Sequence, residues 1–143
     1  MRNLSKVFLI KIVLTATVWC VPLLLSPLSL LRYLGFDLAS PEIFIRLLGM
    51  AYGALLVGYV FGLRAASSGI YPAGPVWVGI VSNGGAFLLL CIAAVQGSWA
   101  SWGAVARMVM WGSVIGTGLI TFSLVLLGPC AGDGPCIGTS KEP

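Results

Sequence analysis

The chain has 143 residues and 15.0 kDa, with 59% hydrophobic residues, 8% charged residues and a mean hydropathy of +1.04. A soluble domain is about 25% charged, and the eight basic and four acidic residues present here cannot coat a globule of this size. The composition therefore points to an all-α integral membrane protein rather than a water-soluble fold. The chain contains no histidine, and its carboxylates (Asp37, Glu42, Asp133, Glu142) lie outside or at the edge of the apolar runs. A His/Asp triad, a His-rich metal site and an intramembrane carboxylate relay lack their parts. No glycine-rich phosphate loop is present. The net charge of +4 comes from residues spread along the chain, so it forms no patch for nucleic acid.

The charges divide the apolar mass. Lys11 to Arg32 leaves 20 uncharged residues, Arg46 to Arg64 leaves 17, Arg64 to Arg107 leaves 42 and Arg107 to Asp133 leaves 25. A helix crosses the hydrocarbon with about 20 apolar residues, so four spans are expected. The first is residues 7–31, its charge-free part beginning after Lys11. It is too long for a signal-peptide core and runs through Pro22 and Pro27 without a small-x-small cleavage site. The two prolines should kink it, either as a packing bend or by opening a lateral crevice for a lipid or quinone. A polar loop, 32–41, ends in Ser40-Pro41-Glu42, which reads as N-cap, first helical residue and first-turn acid. The second span is residues 42–63. A loop marked by Ser67-Ser68-Gly69, Pro72 and Gly74-Pro75 leads to the third, residues 76–95. A short connection then leads to the fourth, residues 102–127. Residues 128–143 hold four Gly and three Pro and are expected to be an irregular tail.

Burial alone does not drive helices together in lipid, whereas small residues that permit close approach do. Gly49, Gly53, Gly58 and Gly62 on the second span, and Gly112 and Gly116 on the fourth, are read as packing positions. The fourth span also carries a ladder of Ser113, Thr117 and Thr121. An intramolecular four-helix bundle explains these glycines most simply, and homo-oligomerisation is the alternative. Cytoplasmic loops are enriched in Lys and Arg. Arg2, Lys6, Lys11, Arg64 and Lys141 fall on one side, against Arg32, Arg46 and Arg107 on the other, which places both termini in the cytoplasm.

Two charges fall within spans. Arg46 and Arg107 are expected at similar depth in the outer leaflet. They either share an anion or quinone-carbonyl site or snorkel to the headgroups. Glu42, at i−4 from Arg46, has the spacing for an ion pair. Asn83 sits two turns into the third span and reads as an interhelical hydrogen bond or a ligand contact. Cys20 and Cys91 are single cysteines at different depths and read as apolar filler. Cys130 and Cys136 lie in the tail. Their spacing is wider than that of structural zinc ligands, which leaves an inert tail, soft-metal capture or redox chemistry.

Arg46-Leu-Leu-Gly49 entering a glycine-rich second helix, in a chain of four short spans, resembles the DoxX-like group of small bacterial inner-membrane proteins. The resemblance implies a four-helix bundle in that membrane. A second likeness, carried by Cys130 and Cys136, is to small four-helix mercuric-ion transporters. Those carry a cysteine pair in the first helix, where this sequence has only Cys20. The reading that follows is a non-catalytic, multi-pass inner-membrane protein without a cofactor. It would act as an accessory or assembly subunit among other membrane proteins, or as a homo-oligomer. A small transporter or lipid- or quinone-binding protein using Arg46 and Arg107 is the alternative, and soft-metal handling is a third. A reporter active only in the periplasm, fused to the C-terminus, should stay silent; activity there would reverse the assigned orientation.

Overall fold

The computed structural model describes residues 2–38 and 41–128, all in helices and their connections. Four helical stretches are long and apolar enough to cross a membrane: Asn3–Leu25, Ile43–Ser67, Ala73–Val95 and Ala104–Leu127. Their outer faces are apolar, with Leu25, Val81 and Val95 among the large side chains facing outward. Such continuous apolar surface suits lipid and would aggregate in water.

The first span is not one regular helix. It consists of α1 (Arg2–Leu14), a π-helical segment (Thr15–Cys20), α2 (Val21–Leu25) and, after a break, α3 (Leu28–Tyr33). The π segment ends two residues before Pro22, which has no N–H to give to the carbonyl of Val18. The turn widens there, and the N–H of Val21 donates to Ala16, five residues back. The break falls at Ser26-Pro27, where both residues are extended, with ψ of 139° and 138°. Proline disfavours the helical region for its predecessor, so the chain leaves the helix one residue early. The two expected bends are thus a widened turn at Pro22 and a full stop at Pro27.

The remaining spans are α4 (Ile43–Ser67), α5 (Ala73–Val95) and α6 (Ala104–Leu127). Helix α4 runs one turn beyond the expected boundary, so Arg64 sits in its last turn. Helix α5 takes Gly74 and Pro75 into its first turn, where a missing N–H costs nothing. The expected N-cap Ser40 lies outside the described residues; Glu42 occupies the capping position.

The four spans close a ring in which each helix packs on the next and α6 returns to α1. At the end where the chain starts, Leu4, Phe8, Tyr59, Ala66, Val76 and Leu124 form one buried cluster contributed by all four spans. At the far end the ring is looser. The π segment and α2 lean on α4 and do not come close to α6. The loops there are joined by backbone, the N–H of Gly103 donating to the carbonyl of Gly35 at 3.0 Å. A Cβ at Gly35 would lie 2.5 Å from the Gly103 Cα, and Gly35 has φ +90°, so glycine is required there twice over. Trp102 packs on Phe36, and Trp99 sits edge-on to Trp111.

Two of the expected packing glycines make close contacts and a third an ordinary one. A Cβ on Gly49 would meet Leu24 at 2.9 Å, one on Gly62 would meet Pro75 at 2.7 Å, and Gly53 faces the Cys20 sulfur. Gly58, Gly112 and Gly116 have open space where a Cβ would go. Gly62→Ala should therefore cost about 1–3 kcal/mol by overpacking, while Gly58→Ala should be neutral or stabilising by up to about 1 kcal/mol. Thermal unfolding in mild detergent compares the two, and equal midpoints would contradict this packing.

Candidate functional site

Lys11 is the centre of the site. Its side chain is 2% exposed, although it lies eight residues beyond Asn3, or about 12 Å along the first span. It stands on the same stripe of α1 as Leu4 and Phe8, at intervals of four and three residues, and that stripe faces the bundle interior. The Nζ lies 3.8 Å from the centroid of the Tyr59 ring. It has no hydrogen-bond partner among the described residues. None of the four spans contains Asp or Glu, so no span supplies a counter-ion. A cation over an aromatic face gains about 2 kcal/mol when desolvated. The penalty for removing an ammonium from water is several kcal/mol, so the ring offsets only part of it.

The ammonium borders a cavity of ≈170 Å³. One wall is the small-residue stripe of α6, Gly112, Ser113, Gly116 and Thr117, and the opposite side carries Trp19, Tyr52 and Tyr59. The α6 hydroxyls donate to carbonyls of their own helix, Ser113 to Val109 at 2.8 Å and Thr117 to Ser113 at 2.7 Å. Their lone pairs remain available to the cavity. Ser82 shares a 2.8 Å hydrogen bond with the Tyr59 hydroxyl, linking α5 to α4 beside Lys11. Asn83 also lines the cavity, and its amide donates to the Gly79 carbonyl of its own helix at 2.6 Å. The helix-joining bond expected of Asn83 is made by its neighbour Ser82. Gly112 and Gly116, read from sequence as packing positions, instead leave room in the cavity wall.

A second chamber of ≈410 Å³ shares Trp19, Tyr52, Ala86, Ser113 and Thr117 with the first and extends to Phe36, Asp37 and Trp102. A third space of ≈170 Å³ lies between Val18 and Pro22 on the first span and Val105 and Val109 on α6. Val18 and Val105 are exposed, so the gap between the first span and α6 opens sideways to lipid. Together the chambers form a crevice that is closed at the Lys11 end by the core cluster and open at the far end.

The two arginines singled out in the sequence are not brought together as a site. Arg46 donates from Nη1 to the Leu23 carbonyl at 2.7 Å and from Nη2 to the Ser26 carbonyl at 2.8 Å. Pro27 has no N–H for Leu23, and Leu30 turns its N–H to Pro27 rather than Ser26. Arg46 thus fills two acceptors that the break leaves open. Glu42 pairs with Arg32 at 2.6 Å, not with Arg46. Arg107 is exposed on the first turns of α6. Cys20 is buried, with its sulfur 3.7 Å from the Gly49 carbonyl, and Cys91 is also a free thiol. Among the described residues no three His, Cys, Asp or Glu converge on a possible metal position. Cys130 and Cys136 lie outside the described residues. In the sequence Lys11 reads as one of the flanking charges, because Arg2 and Lys6 precede it.

No family model, curated protein or solved structure matches the chain. Arg46→Met would strand two carbonyls, at about 1–3 kcal/mol for each unsatisfied group, whereas Arg107→Met should change stability by less than about 0.5 kcal/mol. Thermal denaturation of the pair in detergent decides the assignment; similar losses in both variants would return Arg46 to the candidate ligand groups.

Proposed function

We propose that this protein is a non-catalytic, multi-pass membrane protein that holds a small membrane-soluble amphiphile in the crevice between its first span and α6. The observation that carries this reading is Lys11. It is a buried ammonium without a hydrogen-bond partner among the described residues, and it faces a cavity that small residues leave unfilled. An ionisable residue inside a span is a functional candidate by default. A ligand atom that accepts a hydrogen bond would complete its coordination. The binding role that the alternative reading gives to Arg46 and Arg107 thus moves to Lys11.

Catalysis within the spans is a poorer reading. The chain has no histidine and no carboxylate in any span, so among the described residues the ionisable side chains at the cavity are one amine and two phenols. An accessory role, presenting the bound molecule to a partner protein or moving it between leaflets, fits this chemistry. With Lys11 and Arg46 both committed to the bundle interior, the topological charges become Arg2, Lys6, Arg64 and Lys141 against Arg32 and Arg107. That balance supports cytoplasmic termini. The likeness to DoxX-like proteins supports a bacterial inner membrane.

Native mass spectrometry of the protein released from mild detergent should show a population carrying one small-molecule adduct. Gly116→Leu, which fills the cavity from a position with no atom within reach of its Cβ, should remove the adduct and keep the fold. Bare polypeptide from the wild type under every mild condition would count against a bound amphiphile.

A further inference from the structure

The crevice carries an asymmetry that narrows its ligand. At its closed end stands Lys11, with the Tyr59–Ser82 hydroxyl pair, Thr15 and Asn83 around the same cavity. At the far end of the second chamber stands Asp37. Between them the walls are mostly apolar or aromatic, with the Ser113 and Thr117 hydroxyls of α6 among them. We infer that the molecule held in the crevice is a single-chain amphiphile with a monoanionic carboxylate-type head, seated with its head at Lys11 and its chain running toward Pro22 and Phe36. This rests on the reading of the crevice as a binding site.

Two observations and one general rule favour an anion over a neutral head. The spans contain one buried ammonium and no carboxylate, so an anionic ligand neutralises the site, while a neutral one leaves the charge in place. A charge-assisted hydrogen bond is about twice as strong as a neutral one. Asp37, an exposed carboxylate, edges the far chamber, so the positive and negative groups stand at opposite ends of the crevice.

The dimensions favour a single chain. The inner cavity of ≈170 Å³ is close to the roughly 150 Å³ apolar cavity that holds one benzene molecule. A carboxyl group and its first methylenes fit such a volume. Trp19 and Tyr52, whose rings stack at 6.1 Å, line both this cavity and the ≈410 Å³ chamber, where the rest of the chain would lie. From Lys11 to Leu23 the first span rises roughly 18 Å, and both ends of that run line the chambers.

The test uses the full chain in nanodiscs of zwitterionic lipid, with palmitate, hexadecanol, methyl palmitate and a prenylated quinone as probes and native mass spectrometry as readout. Palmitate should bind one to one and at least about tenfold more tightly than the alcohol or ester. Lys11→Met should erase that preference while retaining weak binding of all three, and Gly116→Leu should block all of them. Equal affinity for acid, alcohol and ester in the wild type, or preference for the quinone, would overturn the anionic head and leave the crevice as a binding site. Binding that Gly116→Leu does not reduce, or no binding of any probe, would overturn both. The head-group comparison is made on the wild type and does not depend on any variant folding.

Discussion

Backbone carbonyls cannot be left bare in hydrocarbon, and the far half of this bundle is organised around two of them. The break at Ser26-Pro27 frees the acceptors of Leu23 and Ser26, which in water would simply be hydrated. In a bilayer each bare group costs several kcal/mol, so a broken span is tenable only with a donor at hand. Arg46 supplies both donors from the facing helix. Its planar fork reaches two acceptors at once, which a single ammonium does less well. The ion therefore belongs to the backbone of its neighbour as much as to α4. With that pairing in place, α3 can turn across the end of the bundle, and Gly35 can meet Gly103.

The same break allows the crevice. A straight first helix could follow α6 along its length. Here α1 packs on α6 only at the terminal end, and the π segment and α2 follow α4 instead. The space between is not refilled, because the facing stripe of α6 is Gly112, Ser113, Gly116 and Thr117. Bulky residues there would close the gap by contact. The cavity is thus a product of two independent features, a proline-directed departure of one helix and a run of small residues on another. Lys11 stands where they meet, at the last turn of α1 before the π segment.

Much of the architecture is written in the spacing of charges and apolar residues. Four spans emerge from it within about a turn at most boundaries, because length and hydrophobicity alone set what crosses a bilayer. Prolines 22 and 27 announce a disturbed first span, but not that one widens a turn and the other ends the helix. The role of Arg46 was hidden because its partners are carbonyls 20 and 23 residues away. Yet the rule that Pro27 orphans the carbonyl four residues back points to Leu23, and a donor inside the next span is the natural match. Lys11 was hidden by company: with Arg2 and Lys6 before it, it reads as the last of a flanking group. Its helical phase is the signal that separates it, since Leu4, Phe8 and Lys11 fall on one stripe and Lys6 does not. Gly112 and Gly116 could not be resolved from sequence, because a small-residue stripe that receives a helix and one that leaves a hole have the same letters.

Lys11, buried, and Arg46, partly buried, show how differently one membrane interior can treat charge. Arg46 is completed by its own protein, with two carbonyls at hydrogen-bond distance, so a ligand would have to displace bonds that hold the fold. Among the described residues Lys11 has only the Tyr59 face, and a π cloud satisfies none of its three N–H donors. A fold needing nothing from that position would gain by any apolar residue of similar length, because replacing a lone buried charge removes a desolvation cost without breaking a bond. An ammonium there makes physical sense when something outside the chain completes it. The adjoining cavity supplies the room, and the lateral opening between the first span and α6 supplies a route from the lipid.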